Sequence, residues 1–68
     1  MIVWGVHALH LRGGPSLSAQ VLGYLEEGEA VEVLAAPVWD GERFWYNVQA
    51  LDSAEIGWAS GRYLVPWR

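Results

Sequence analysis

Two histidines, three clustered glutamates and four serines are the side chains of this sequence whose types could support chemistry. His7 and His10 lie three residues apart, so on a strand they face opposite sides and cannot share a metal ion. A nucleophilic serine needs a base and an orienting acid beside it, and the spacing of the four serines supplies neither. We therefore predict no catalytic residue, no metal site and no cofactor.

The three glutamates fall in one short turn, at Glu26, Glu27 and Glu29. A calcium-binding loop distributes its oxygen ligands over about a dozen residues. This turn is less than half as long, so we interpret it as a solvated loop between two strands.

The charge and the composition exclude several partners. The chain of 68 residues has a formal net charge of −4, four Lys+Arg and no cysteine. Nucleic-acid binders usually present a basic face, so we expect no nucleic-acid ligand. The apolar start is far shorter than the ~20 residues that span a bilayer, so we expect no membrane insertion. The sequence is compatible with either a cytoplasmic domain or a segment of a longer exported protein. We expect the isolated domain to be a monomer.

The apolar residues alternate with polar ones, and Gly, Pro, Asp or Ser interrupt them at intervals typical of a small all-β domain. We predict a single all-β domain over residues 1–68, a small barrel or sandwich of antiparallel strands with a short turn before the last. The predicted strands lie near residues 2–11, 21–25, 31–38, 43–50, 56–59 and 63–67.

Side-chain alternation predicts a register for the first of two hairpins. If the apolar positions of both strands face inward, Leu25 lies opposite Val31 and Val21 opposite Ala35. Residues 26–30 then form a five-residue loop.

The Asp-Gly pair at residues 40–41 predicts the second hairpin, because both central residues of a type I′ turn need positive φ. Folding there places Val33 opposite Val48 and Ala35 opposite Tyr46. The two turns agree on which faces point inward.

The same alternation turns Phe44, Tyr46 and Val48 inward and Trp45 and Asn47 outward. We expect Trp45 to be exposed, which indicates a binding surface. Further apolar residues at outward positions indicate a second surface against a neighbouring domain or subunit, or an aromatic clasp between the terminal strands: Trp4, Leu22, Tyr24, Leu34 and Trp67.

Several segments, in order, resemble the bacterial SH3-like (SH3b) family. They are ALHLRGGPS at residues 8–16, VLGYL at 21–25, VEV at 31–33, WYNV at 45–48 and GWASGRYL at 57–64. The resemblance spans about residues 5–64 and implies an SH3-like barrel of five to six antiparallel strands with a 3₁₀ turn before the last. It implies that GGPS begins the loop from one strand to the next, where Gly13 and Gly14 would allow unusual φ values.

In related domains an aromatic groove binds extended peptides, and the resemblance implies that Trp45, Trp58 and Tyr63 form such a groove here. His10, Arg12 and Asn47 would orient the ligand by polar contacts. Domains of this kind often accompany cell-wall hydrolases, so the implied ligand is a peptide or a peptidoglycan stem or bridge peptide. We expect a non-catalytic binding or targeting module.

The alternative is a structural protein–protein interaction domain that packs on a partner domain or subunit of a larger assembly. In that case the same three rings cover the side of the barrel or pack on the neighbour. The ligand-binding interpretation requires that the rings lie side by side and are accessible to water.

Overall fold

The structure is a computed structural model that describes residues 1–66. It contains eight short strands and one 3₁₀ turn. They are β1 (Ile2–Val3), β2 (Ala8–Arg12), β3 (Val21–Glu26), β4 (Val31–Val33), β5 (Val38–Trp39), β6 (Phe44–Ala50), β7 (Ile56–Ser60), the 3₁₀ turn (Gly61–Tyr63) and β8 (Leu64–Val65). The all-β prediction and the 3₁₀ turn before the last strand are confirmed.

The main sheet has the order β3-β2-β7-β6-β4, and β5 also pairs with β6. All of these pairs are antiparallel. β1 pairs with β8 and also contacts the segment before β4: the Val3 amide donates to the Glu29 carbonyl at 3.0 Å, and the Val31 amide donates to the Met1 carbonyl at 2.8 Å. β1 therefore links the last strand to the start of β4. No helix in the described part of the chain is long and apolar enough to cross a membrane.

The core lies between these strands and consists of small and medium aliphatic side chains. Its buried members are Val3, Leu9, Leu11, Leu25, Val31, Val48, Ala50, Ala59 and Leu64. Gly57 belongs to the same inward face, because a Cβ there would lie 2.6 Å from Leu11 Cγ. The predicted inward orientation of Gly57, Ala59 and Val48 is confirmed.

Two of the predicted strands are divided. The strand predicted over residues 2–11 breaks between β1 and β2, where Gly5 has φ +83°, a left-handed conformation that favours glycine. The strand predicted over residues 31–38 breaks at residues 34–37, where Pro37 has no N–H to donate to the ladder. The last strand is β8 rather than residues 63–67, and Trp67 lies outside the described residues.

The predicted first hairpin is wrong. β3 pairs with β2, with Leu25 opposite Leu9, and β4 pairs with β6. The chain between β3 and β4 contacts β1 instead, and the amide of Gly28 donates to the carbonyl of Val3 at 2.8 Å.

In the second hairpin the two-residue turn is wrong but the predicted pair Val33–Val48 is confirmed. Trp39 lies opposite Phe44, so the turn contains the four residues 40–43. Between the pair Val38–Trp45 and the pair Val33–Val48, the chain from β4 to β5 covers five residues, whereas β6 covers only three. The two extra residues in the 34–37 segment thus offset the two extra residues in the turn.

Exposure at the strand ends departs from strict alternation. Val21, Val33 and Phe44, which we expected to face inward, are exposed, and the last has 48% of its surface accessible. Each of them is the first or last residue of its strand. Four predicted outward residues are indeed exposed: Trp4, Leu22, Tyr24 and Leu34.

Gly13 and Gly14 have a different role from the one expected, since neither has a positive φ. A Cβ on Gly14 would meet Ala19 Cβ at 3.5 Å, an ordinary contact. GGPS does begin the loop between β2 and β3, which comprises residues 13–20 and is here called the corner loop.

Candidate functional site

The strand register brings most of the predicted site residues to one face of the sheet. Trp45 of β6 lies opposite Ser60 of β7, and Asn47 lies opposite Trp58. Trp58 in turn lies opposite Arg12 of β2. Because successive residues of a strand alternate between faces, all of these side chains lie on the face away from the core. Two adjacent rows of side chains result, one through Trp45 and one through Trp58.

A cleft of about 150 Å³ opens over the first of these rows. We call it the Trp45 cleft and define it by its lining residues: Val6, Ala8, Leu9, His10, Arg12, Leu17, Arg43, Trp45, Ser60 and Tyr63. They come from β2 and the segment before it, the corner loop, the 40–43 turn, β6, β7 and the 3₁₀ turn. The fold thus assembles one small concavity from segments that are distant in sequence.

Arg12 fixes the corner loop against this cleft. Its Nη1 donates to the carbonyl oxygens of Leu17 at 3.0 Å and Ala19 at 3.1 Å. Its Nη2 lies 3.5 Å from His10 Nδ1. Hydrogen bonds from a charged donor are stronger than neutral ones, so Arg12 holds the wall that carries Leu17.

Trp45 is buried, with 1% of its surface accessible, although it does not belong to the core cluster. Its Nε1–H donates to Asp40 Oδ2 at 2.6 Å. The other oxygen, Oδ1, accepts from the backbone amides of Glu42 at 2.8 Å and Arg43 at 2.9 Å. Asp40 therefore joins the indole to the 40–43 turn and holds its backbone closed.

These contacts stabilise the ionised form of Asp40. The Trp45 hydrogen bond, followed by the backbone amides of Arg43 and Glu42 and by the Arg43 charge, lowers the pKa of Asp40 from 3.8 to about 2. The carboxylate is charged at neutral pH, and its oxygens already accept three hydrogen bonds from the chain.

A family model described as bacterial SH3 domain matches residues 7–65. The chain belongs to the bacterial SH3 domain family. Searches of curated proteins and of solved structures found no match. Bacterial SH3 domains are generally binding modules for peptides, peptidoglycan or proteins rather than catalysts, so the family indicates a binding role.

In this bacterial SH3 domain, four of the six predicted site residues line the Trp45 cleft: His10, Arg12, Trp45 and Tyr63. Trp58 and Asn47 lie in the adjacent row and do not line it. Asn47 donates from Nδ2 to the Gly57 carbonyl oxygen at 3.1 Å.

The expected exposure of Trp45 is wrong. Side-chain alternation correctly placed it on the face away from the core, but residues of that face are accessible only where no loop covers them. Trp45 lines the cleft together with Leu17 of the corner loop and Arg43 of the turn, and almost none of its surface is left accessible. Trp58 and Tyr63 are half-buried, so a groove of three fully accessible rings does not form.

The sequence interpretation missed Arg43 and Leu17. Arg43 lies two residues before Trp45, so side-chain alternation indicates that both side chains lie on the same face of the sheet. Leu17 had no such signal, because its position depends on the path of the corner loop. A third omission is an exposed aromatic pair on the 40–43 hairpin, in which the ring centroids of Trp39 and Phe44 lie 4.9 Å apart.

The histidines line different clefts. His10 lines the Trp45 cleft, and His7 lines a separate cleft with Tyr24, Glu26 and Glu27. Within residues 1–66, no group of three or more His, Cys, Asp or Glu residues is placed to hold a metal ion.

Proposed function

We propose that this bacterial SH3 domain is a non-catalytic targeting module that binds an extended peptide, with peptidoglycan peptides as the ligand class, across the Trp45 cleft. The observation that carries the proposal is the convergence of the corner loop, β2, the 40–43 turn, β6 and the 3₁₀ turn on one concavity. Four of the six residues that we predicted for the binding surface line it.

The size of the cleft favours a peptide over a compact small molecule. Pockets for small molecules usually enclose about 300–1,000 Å³. The Trp45 cleft has about 150 Å³. This is roughly five times the ~30 Å³ that one water molecule occupies in the liquid. Such a volume accepts one side chain or two very small residues, while the rest of the ligand lies on the surface.

The adjacent row supplies that surface. Trp58 and Asn47 lie beside the cleft across β6 and β7, and both are half-buried. Aromatic rings contribute large contact areas with little loss of side-chain entropy, and polar tips such as His10 fix orientation. In the proposed complex the peptide therefore continues from the cleft over Trp58.

The test uses exposed cleft residues, whose replacement leaves the fold intact. Leu17→Ala and His10→Ala each remove an exposed side chain that lines the cleft. Leu51→Ala is the matched control, because Leu51 is 59% exposed, against 53% for Leu17, and does not line the cleft. Trp45→Ala is unsuitable, since truncating a buried Trp costs about 3–5 kcal/mol of stability.

Binding is measured by co-sedimentation with purified peptidoglycan sacculi and by chemical-shift changes on titration with soluble sacculus digests. We expect wild type and Leu51→Ala to bind equally and the two cleft variants to bind at least about fivefold more weakly. If the cleft variants bind sacculi as wild type does, or if wild type does not bind, the proposal is wrong.

A second candidate function rests on the other exposed apolar residues. Trp4 is 61% exposed and borders an apolar cleft of about 480 Å³ with Ile2, Val65 and Pro66. Contiguous apolar surface of this kind is typical of an interface with a neighbouring domain or subunit. If wild type does not bind sacculi but associates with a partner domain or subunit, and Trp4→Ala weakens that association, the structural interaction role is favoured instead.

A further inference from the structure

The Trp45 cleft is a cationic site in an acidic protein. Two of the four arginines, Arg12 and Arg43, line it together with His10. None of its lining residues is an aspartate or a glutamate. The formal net charge of the whole chain is −4, so the sign of this one cleft is opposite to that of the protein.

The donors of the two arginines are only partly used. Arg12 donates to two backbone carbonyls and lies within hydrogen-bond distance of His10, and these partners carry no negative charge. Within residues 1–66, Arg43 Nε is buried and has no hydrogen-bond partner. A buried donor without a hydrogen-bond partner is destabilising, so the guanidinium of Arg43 is not fully satisfied by the chain.

Asp40 is hydrogen-bonded to the backbone amide of Arg43. Its oxygens accept from Trp45 Nε1 and from the amides of Glu42 and Arg43. The Arg43 charge contributes least among the causes that lower the pKa of Asp40. The side chain of Arg43 takes no part in these three hydrogen bonds, and within residues 1–66 its Nε has no partner.

The other walls of the cleft are apolar, with Val6, Ala8, Leu9 and Leu17 beside the two arginines. A bare inorganic anion would leave these walls in contact with water. A carboxylate attached to a small apolar group fits both the arginines and the apolar walls. The guanidinium groups bind the carboxylate through paired hydrogen bonds, and the walls contact the apolar group.

On the basis of the proposed function, we propose that the Trp45 cleft recognises the carboxylate of its peptide ligand, with Arg43 as the principal contact and Arg12 as the second. The apolar walls hold the side chain next to that carboxylate. The ligand class is thus a peptide that ends in, or carries, a carboxylate beside a small apolar residue.

The test compares three probes on the intact protein by calorimetric or NMR titration. They are acetyl-alanyl-alanine with a free terminal carboxylate, its carboxamide, and acetyl-glutamate amide, whose only carboxylate is in the side chain. We expect the acid to bind at least about tenfold more tightly than the carboxamide, a difference of about 1.4 kcal/mol. This preference should fall between 20 and 300 mM salt, because salt screens charges at an open site. The glutamate probe distinguishes a side-chain carboxylate from a terminal one as the source.

Arg43→Gln should reduce the preference for the acid to less than about twofold. Arg62→Gln is the matched control, since Arg62 does not line the cleft, and it should keep the preference. Arg43→Lys, which keeps the charge but loses the planar pair of donors, should give an intermediate value. Arg12 is left unchanged because it holds the corner loop.

Equal affinity for acid and carboxamide, or a preference that survives Arg43→Gln, overturns this inference. If sacculus binding still depends on Leu17 and His10 in that case, the proposed function stands without it. If none of the probes binds and sacculi do not bind, both fail.

Discussion

β7 lies close against β2 at Gly57, and this contact gives a quantitative prediction. A Cβ on Gly57 would lie 2.6 Å from Leu11 Cγ, 2.9 Å from the Arg12 carbonyl oxygen and 3.0 Å from Leu11 Cδ1. Leu11 is 1% exposed, and the carbonyl belongs to a paired strand. Neither neighbour can move aside without disturbing the core or the sheet.

The expected cost of Gly57→Ala follows from these distances. Overpacking a close-packed interior costs about 1–3 kcal/mol. Replacing glycine also removes freedom from the unfolded chain, which returns about 0.4–1 kcal/mol. The two ranges combine to a net loss between roughly zero and 2.6 kcal/mol. Because neither neighbour can move aside, we expect the upper part of this range, about 1–2.5 kcal/mol in the free energy of unfolding. For a domain of this size that lowers Tm by roughly 4–20 °C, at 4–8 °C for each kcal/mol.

Two other Gly→Ala substitutions serve as comparisons, because the Cβ atoms they add meet less rigid or more distant neighbours. In Gly61→Ala the Cβ would lie 2.6 Å from Tyr46 Cε1, but that ring is half-buried and can shift. In Gly14→Ala the Cβ would meet Ala19 Cβ at an ordinary 3.5 Å. We expect the loss of stability to be largest for Gly57, smaller for Gly61 and within about 0.5 kcal/mol of zero for Gly14.

Thermal and urea unfolding, followed by circular dichroism and Trp fluorescence, measure the three free energies under identical conditions. If Gly57→Ala is no more destabilising than Gly14→Ala, then β2 and β7 do not approach each other as described. In that case the register through Arg12 and Trp58, on which the site depends, is also wrong.

Two further predictions concern the anchors of the cleft walls. Because the pKa of Asp40 is lowered to about 2, its contribution to stability is complete above about pH 4 and is lost as pH falls towards 2. The difference in urea midpoint between wild type and Asp40→Asn should therefore be present at pH 5 and vanish near pH 2, and a difference independent of pH would contradict this assignment. Arg12→Met removes two hydrogen bonds to the corner loop, so amide exchange in residues 13–20 should accelerate while β6 keeps its protection. Equal exchange in Arg12→Met and in the control Arg62→Met would show that Arg12 does not hold the loop.

Side-chain alternation predicted the inner part of the barrel well because burial there is decided by the strands alone. Val48 and Ala59 are fully buried, as the pattern required. The register between Val33 and Val48 was correct even though the turn was not, because the longer turn and the break at residues 34–37 cancel. The pattern of apolar faces therefore predicts which residues pair in the inner part of the sheet. It does not predict where extra residues are inserted in the turn or in the strand.

The pattern failed where a third segment intervenes. Nothing in the residues around Leu25 and Val31 shows that β1 contacts the chain between them, so the direct hairpin was the simpler interpretation. Likewise, alternation distinguishes the core face of β6 from the opposite face but does not show that Trp45 is covered there. Both outcomes depend on contacts between segments that are distant in sequence.

The burial of Trp45 also changes how recognition in this domain is understood. A fully exposed ring would bind ligand by itself, whereas a covered ring makes binding depend on the segments around it. Arg12 holds the corner loop and Asp40 holds the 40–43 turn, and each anchor is a single charged side chain. Since these two walls carry Leu17 and Arg43, substitutions in the loops would alter the ligand while the barrel stays the same. Under the proposed function, ligand choice therefore depends on residues 13–20 and 40–43 more than on the aromatic residues of the sheet.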